Sequence, residues 1–231
     1  MQGELGETVD RSKPVLAVLI SGGGRSLANL IERSREGALD ARVGAVISSK
    51  ADAGGLEIAR AAGIPGVALE RRDYESDAAY SNAIFAEVVP YEPKLMILAG
   101  FLRKIVVPHD WEGRILNIHP ALLPECSYAA GRGFYGERVH QEVLDRHEAK
   151  SGATVHLVDN GYDTGPVYMR QIVPVLPRDT ALTLADRVFE AEKELYPRAI
   201  NAYLGELGTG TVAPGLRPIP TASLLEPNSQ N

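Results

Sequence analysis

The chain has 231 residues, 45% hydrophobic and 23% charged, with a formal net charge of −6. That length suits one large α/β domain with a substantial core; the acidic balance, with no basic stripe, argues against nucleic acid as the main partner, and no apolar run approaches the ~20 residues a membrane span needs. Cys126 is the single cysteine, which excludes an internal disulfide and is consistent with a reducing cytoplasm.

Residues 1–13 read as a polar, flexible tail without a signal-peptide core. The apolar run Val15 to Ile20 suits a central parallel strand covered on both faces. It leads into Ser21-Gly22-Gly23-Gly24-Arg25-Ser26, and Leu27, Leu30 and Ile31 then show helical spacing as far as Arg35. Strand, glycine turn and helix place backbone N–H groups and a helix N-terminus around an anion, with Ser26 as the expected N-cap. A tight turn that needs glycine only for backbone freedom is the alternative. The turn matches neither GxGxxG nor GxxxxGK[ST], so no nicotinamide or ATP reading follows.

A second strand is expected at 43–47, a helix at 54–62, a third strand at 66–69 and a longer helix at 74–89. Leu95 to Ala99 reads as a fourth apolar strand, followed by Gly100-Phe101-Leu102-Arg103. The fifth strand ends in Asn117-Ile118-His119-Pro120, and its amide and imidazole, two residues apart, share one face. A pair of hydrogen-bonded core polars at a strand end is the plain alternative. An irregular glycine-rich loop covers 125–136, and a helix is expected at 139–148. A sixth strand at 153–158 and a seventh at 167–175 flank the turn loop Asn160 to Pro166. A helix at 180–204, interrupted near Pro197, precedes a proline-rich tail. The alternation predicts a single α/β domain at 14–206, a doubly wound, mostly parallel sheet with a Rossmann-like N-terminal half, and an extended tail at 207–231. Its ligand site belongs at the carboxyl ends of the strands, where the glycine turn, Gly100 to Arg103, Asn117 and His119 all fall.

Three stretches carry a resemblance: the Ser21 to Ser26 turn, Leu116-Asn117-Ile118-His119-Pro120-Ala121-Leu122-Leu123-Pro124, and Tyr162-Asp163-Thr164-Gly165-Pro166. Together with Ala99 to Arg103, Gly152 to Val158 and Glu192-Lys193-Glu194-Leu195-Tyr196-Pro197, they resemble the folate-dependent formyltransferase family. Within it the glycine turn favours the branch that acts on phosphoribosylglycinamide (GAR) in purine synthesis. The resemblance runs from about Val15 to Leu204. It implies transfer of a formyl group from 10-formyltetrahydrofolate, as co-substrate, to the amine of a phosphoribosyl substrate. A tetrahedral intermediate would be stabilised by Asn117 and His119, with Asp163 assisting proton transfer.

By the same resemblance Gly23, Gly24, Arg25 and Ser26 hold the substrate phosphate, and Glu192 contacts its ribose or amine part. Leu102, Arg103 and Ile105 line the folate pocket with Asn117, Asp163 and the backbone of 160–164, while Thr154 and His156 support the catalytic residues. The residues alone leave Arg103 open as a solvated charge, His156 as a core histidine and Glu192 as part of a solvated helical face. His109, His140 and His147 read as surface residues, and Cys126 as a loop thiol.

Two departures from the family pattern stand out. Arg25-Ser26 replaces the common Ser/Thr-Asn, and the 125–136 loop is a few residues longer than usual. No metal is expected, because no HxxxH pair or thiolate cluster is present. The partners implied are the two small-molecule substrates, without nucleic acid or membrane, in a cytoplasmic monomer or homodimer. A 10-formyltetrahydrofolate hydrolase would keep Asn, His and Asp but usually carries an N-terminal regulatory domain. A tRNA-directed relative would carry an added C-terminal domain. A non-catalytic folate- or nucleotide-binding module is the reading from another class.

Overall fold

A computed structural model describes residues 12–131, 133 and 135–210. The chain-order elements are β1 (Val15–Ile20), α1 (Arg25–Arg35), β2 (Arg42–Ser48), α2 (Gly54–Ala61), β3 (Gly66–Ala68), α3 (Asp77–Val88), β4 (Leu95–Leu98), β5 (Ile115–His119), α4 (Glu137–Asp145), β6 (Lys150–Leu157), β7 (Val167–Pro174) and α5 (Ala181–Gly208). They build one seven-stranded sheet in the order β3-β2-β1-β4-β5-β6-β7. The first five strands are parallel; β6 and β7 return antiparallel. This is the mostly parallel, doubly wound α/β sheet that the apolar runs predicted.

Alternate residues of β1 feed opposite faces. Leu16, Val18 and Ile20 join the core beneath α1, α2, α4 and α5. Ala17 and Leu19 join Tyr80, Ile84, Phe85 and Val88 of α3 and Trp111 on the other side. Strand order reverses between β1 and β4, which opens a crevice at their carboxyl ends.

Several boundaries depart from the sequence reading. The helix expected from residue 74 starts at Asp77, because the Ser76 hydroxyl accepts the Ala79 N–H at 3.0 Å and caps it. Ser26 does not cap α1: the N-cap is Gly24, in a left-handed conformation, and Ser26 lies in the first turn. The fourth helix spans Glu137–Asp145, not 139–148. Pro197 does not interrupt α5, which runs unbroken for 28 residues. Proline removes the N–H that would bond the carbonyl four residues back. That carbonyl, on Lys193, instead accepts the Asn29 side-chain amide at 3.0 Å, while Leu195, Tyr196, Ala199 and Ile200 remain buried in the core. The helix also passes the expected domain end at 206. Of the two expected tails, residues 1–11 and 211–231 lie outside the described residues. No helix among the described residues is long and apolar enough to cross a membrane.

Candidate active site

A cleft of about 710 Å³ opens at the carboxyl ends of β1, β4 and β5. The glycine turn forms one end. Gly24 takes φ of +79°, which glycine adopts without the steric cost borne by other residues. A Cβ there would stand 2.6 Å from the Cα of Gly55, so the turn packs directly on the start of α2. The Gly55 N–H donates to the Gly22 carbonyl at 3.1 Å and locks that packing. Gly23, by contrast, has nothing within 4 Å of a built Cβ. The first-turn N–H groups of α1 have no side-chain cap and no partner inside the helix, so this end of the cleft presents backbone donors.

Arg25 stands at the rim, its side chain 63% exposed. Its guanidinium lies over the Phe189 ring at 4.0 Å and 3.7 Å from Asp186 of α5. Ser21 anchors the neighbouring wall. Its hydroxyl shares a 2.6 Å hydrogen bond with Ser49 and accepts the Leu102 N–H at 2.8 Å, tying β1, β2 and the segment after β4 together. Ile105 is buried in that segment; Leu102 is 40% exposed and Arg103 is exposed, and all three line the cleft. Asn160 accepts the Val107 N–H through its side-chain oxygen at 2.9 Å and fastens the 159–165 loop opposite.

Asn117, His119, His156 and Asp163 converge at the centre. The Asn117 amide nitrogen lies 3.0 Å from His156 Nε2 and 3.2 Å from Asp163 Oδ1. His156 Nδ1 donates to the Leu157 carbonyl at 2.8 Å, so Nε2 is the ring atom that faces Asn117 and, at 3.6 Å, Asp163 Oδ1. The Asn117 amide nitrogen is thus held against both His156 and the Asp163 carboxylate. His119 is 4% exposed and donates from Nε2 to the Ala129 carbonyl at 2.9 Å. Its Nδ1 faces Asp163 Oδ2 at 3.7 Å. Asp163 sits at φ of +55° and accepts the Gly131 N–H at 2.9 Å. Thr154 is buried behind: its hydroxyl donates to the Ala121 carbonyl at 2.7 Å and accepts the Leu123 N–H at 2.9 Å, holding the turn after His119.

Burial pushes His119 below its ordinary imidazole value, against the opposing pull of Asp163. Burial would raise Asp163, but the imidazoles of His156 and His119 and the Gly131 N–H outweigh it and hold the carboxyl below its usual range. Glu192, on α5, lines the cleft rather than a solvated face, and burial pushes its carboxyl up to about 8 despite Arg25. Each predicted site residue thus lies in this one cleft or, for Thr154, directly behind it.

One reading changes, and the structure adds detail to two more residues. His140 is not a surface residue: it is 4% exposed and lines the cleft, unlike His109 and His147. Its spacing with Val139 and Val143 on the buried face of α4 was the available signal. Ser21, which the sequence placed only within the turn, organises two walls. Cys126 is buried, and its sulfur accepts from the Tyr128 hydroxyl at 3.4 Å. Among the described residues no group of three or more His, Cys, Asp or Glu is placed to hold a metal ion.

A crevice at a topological switch point thus brings together an open helix N-terminus and an Asn-His-Asp cluster, on a mostly parallel sheet of the formyltransferase type. The chain belongs to the formyl transferase family, whose family model matches residues 15–200. Within that family it is similar to phosphoribosylglycinamide formyltransferases. The chloroplastic protein of that name from Vigna unguiculata is 37% identical over 86% of this chain and 63% of its own length. The trifunctional purine biosynthetic protein adenosine-3 of Drosophila pseudoobscura pseudoobscura is 40% identical over 80% of this chain but only 13% of its own. The solved phosphoribosylglycinamide formyltransferase of Brucella melitensis matches with 41% identity and a TM-score of 0.72, covering 83% of this chain and 95% of that one. Glycinamide ribonucleotide transformylase 1 of Symbiobacterium toebii matches with a TM-score of 0.76 and 36% identity, covering 87% and 94%.

Proposed function

We propose that this chain transfers the formyl group of 10-formyltetrahydrofolate to the amine of GAR in purine biosynthesis. The observation that carries this reading is the shared cleft: an uncapped helix N-terminus at one end and the Asn117–His119–Asp163 cluster at its centre. The Gly22 to Ser26 turn binds the phosphate through backbone N–H groups and the helix dipole, with the Arg25 guanidinium at the rim. Glu192 takes the ribose or amine part. The opposite wall suits a flat heterocycle with a polar edge. Leu98, Ile105, Ile118 and Val158 supply apolar surface, and the 159–163 backbone supplies hydrogen-bonding groups. The folate co-substrate supplies the formyl carbon; binding and proton movement fall to the chain.

His119 performs the proton step. With Nε2–H committed to Ala129, the neutral ring has its lone pair on Nδ1, and that atom accepts the proton lost by the attacking amine. Once protonated, Nδ1 becomes a donor between Asp163 and the developing oxyanion. Asp163 stabilises the imidazolium, and Asn117 releases the longer of its two bonds, that to Asp163, to give an N–H to the same oxygen. His119 then returns its proton to the departing N10.

A spectrophotometric assay with a 10-formyl folate, run with and without GAR, tests the reading. Formyl loss only when GAR is present, with formyl-GAR formed, is the expected result. Deformylation at the same rate without GAR would make the chain a hydrolase, and binding without turnover would make it a binding module.

A further inference from the structure

His140 plays no part in the chemistry above. It lies on the buried face of α4 and lines the cleft. Its Nδ1 is sealed from solvent without a hydrogen-bond partner among the described residues; Nε2 is not sealed in that way. Buried polar atoms in native structures are nearly always paired, so an unpaired one calls for an explanation. His140 is close enough to interact electrostatically with both His119 and Arg25. It shares the cleft with His119 of the central cluster and with Arg25 of the glycine turn.

We propose that His140 is a positioning residue for the acceptor substrate, its ring hydrogen-bonding the hydroxyl- and amide-bearing segment between the phosphate and the reacting amine. This assignment rests on the functional reading above. The chemistry of the ring selects that segment. Burial, reinforced by electrostatic interaction with His119 and with the Arg25 guanidinium, pushes its pKa down to about 4, so it is neutral near pH 7. A neutral imidazole offers one donor and one acceptor, which suits a hydroxyl or amide; a phosphate calls for a cation or an array of N–H groups.

The test compares wild type, His140→Leu and His140→Gln, measuring KM for both substrates. In His140→Leu the KM for GAR rises roughly three- to tenfold, the loss expected for one neutral hydrogen bond. The KM for the formyl donor stays unchanged, and His140→Gln, with an amide near the Nε2 position, recovers most of the loss. A purely structural role would move both KM values or neither. A second measurement needs no apolar variant: the His140 imidazole ¹⁵N signal, assigned by its loss in His140→Gln, shifts when GAR is added. An unchanged KM for GAR in His140→Leu, or a ¹⁵N signal unmoved at saturation, overturns the proposal. Wild-type protein that neither binds nor formylates GAR overturns the functional reading and this proposal with it.

Discussion

Nδ1 of His119 and Oδ2 of Asp163 face each other at 3.7 Å, while the opposite nitrogen of the ring is committed to the Ala129 carbonyl. In the proposed reaction Nδ1 is both the proton-accepting atom and the one whose charge Asp163 stabilises. Asp163→Asn keeps the shape and the left-handed backbone, which asparagine tolerates. It should lower kcat/KM by at least about 10²-fold without changing the melting temperature, as expected for loss of assisted proton transfer. The pH profile carries a second signature. Asp163 raises the His119 pKa against the larger effect of burial, so removing the charge moves the acid limb of kcat/KM to lower pH. A limb that stays in place or moves upward would sink this role for Asp163.

Gly23 and Gly24 should separate binding from folding. A side chain at Gly24 meets both a positive φ and the Gly55 backbone at 2.6 Å. Obstruction of the phosphate is therefore not its main effect. Gly24→Ala should cost about 1–2 kcal/mol from the left-handed conformation alone, and more from the clash. Thermal denaturation reads this directly. Gly23→Ala has open space and should leave the melting temperature near wild type. If the phosphate lies on this turn, it raises the KM for the phosphorylated substrate. Unchanged KM would move the phosphate elsewhere.

Ser21→Ala removes the acceptor of the Leu102 N–H and the partner of Ser49. The wall after β4 loosens, and the KM for the formyl donor should rise more than that for the acceptor. Stability should fall by about 1–3 kcal/mol, the cost of leaving a buried group unpaired. An equal rise in both KM values would mean that Ser21 supports the whole cleft rather than this wall.

His140 should also shape stability against pH. The folded protein keeps the ring neutral down to about pH 4, whereas the unfolded chain protonates it near the ordinary imidazole value of about 6.5. Between those values the unfolded state binds the extra proton, so this contribution falls as pH drops through the window and levels off below it. His140→Gln should flatten that part of the curve. Urea midpoints for both proteins across the window provide the measurement; parallel curves would contradict it.

Local chemistry and periodicity made most of this protein legible. Unbroken apolar runs such as Val15–Ile20 and Leu95–Leu98 announce strands covered on both faces, and their alternation with helices announces a parallel sheet. The carboxyl-end rule then gathers the glycine turn, Asn117 and His119 into one crevice before any coordinate is known. Three matters were decided by tertiary structure alone. Pro197 reads as a helix breaker, yet an amide 164 residues away satisfies the carbonyl it orphans. His140 reads as a surface residue, and the residues alone leave Glu192 open as part of a solvated face, because sequence shows which face is polar but not which polar group another element will cover. The hydrogens of Asn117 and the proton position of His119 depend on partners 10 to 46 residues distant in the chain. Covalent pattern specifies which groups are available; only packing brings acceptors to one side of an imidazole and a carboxylate to the other, and that pairing determines which atom takes the proton.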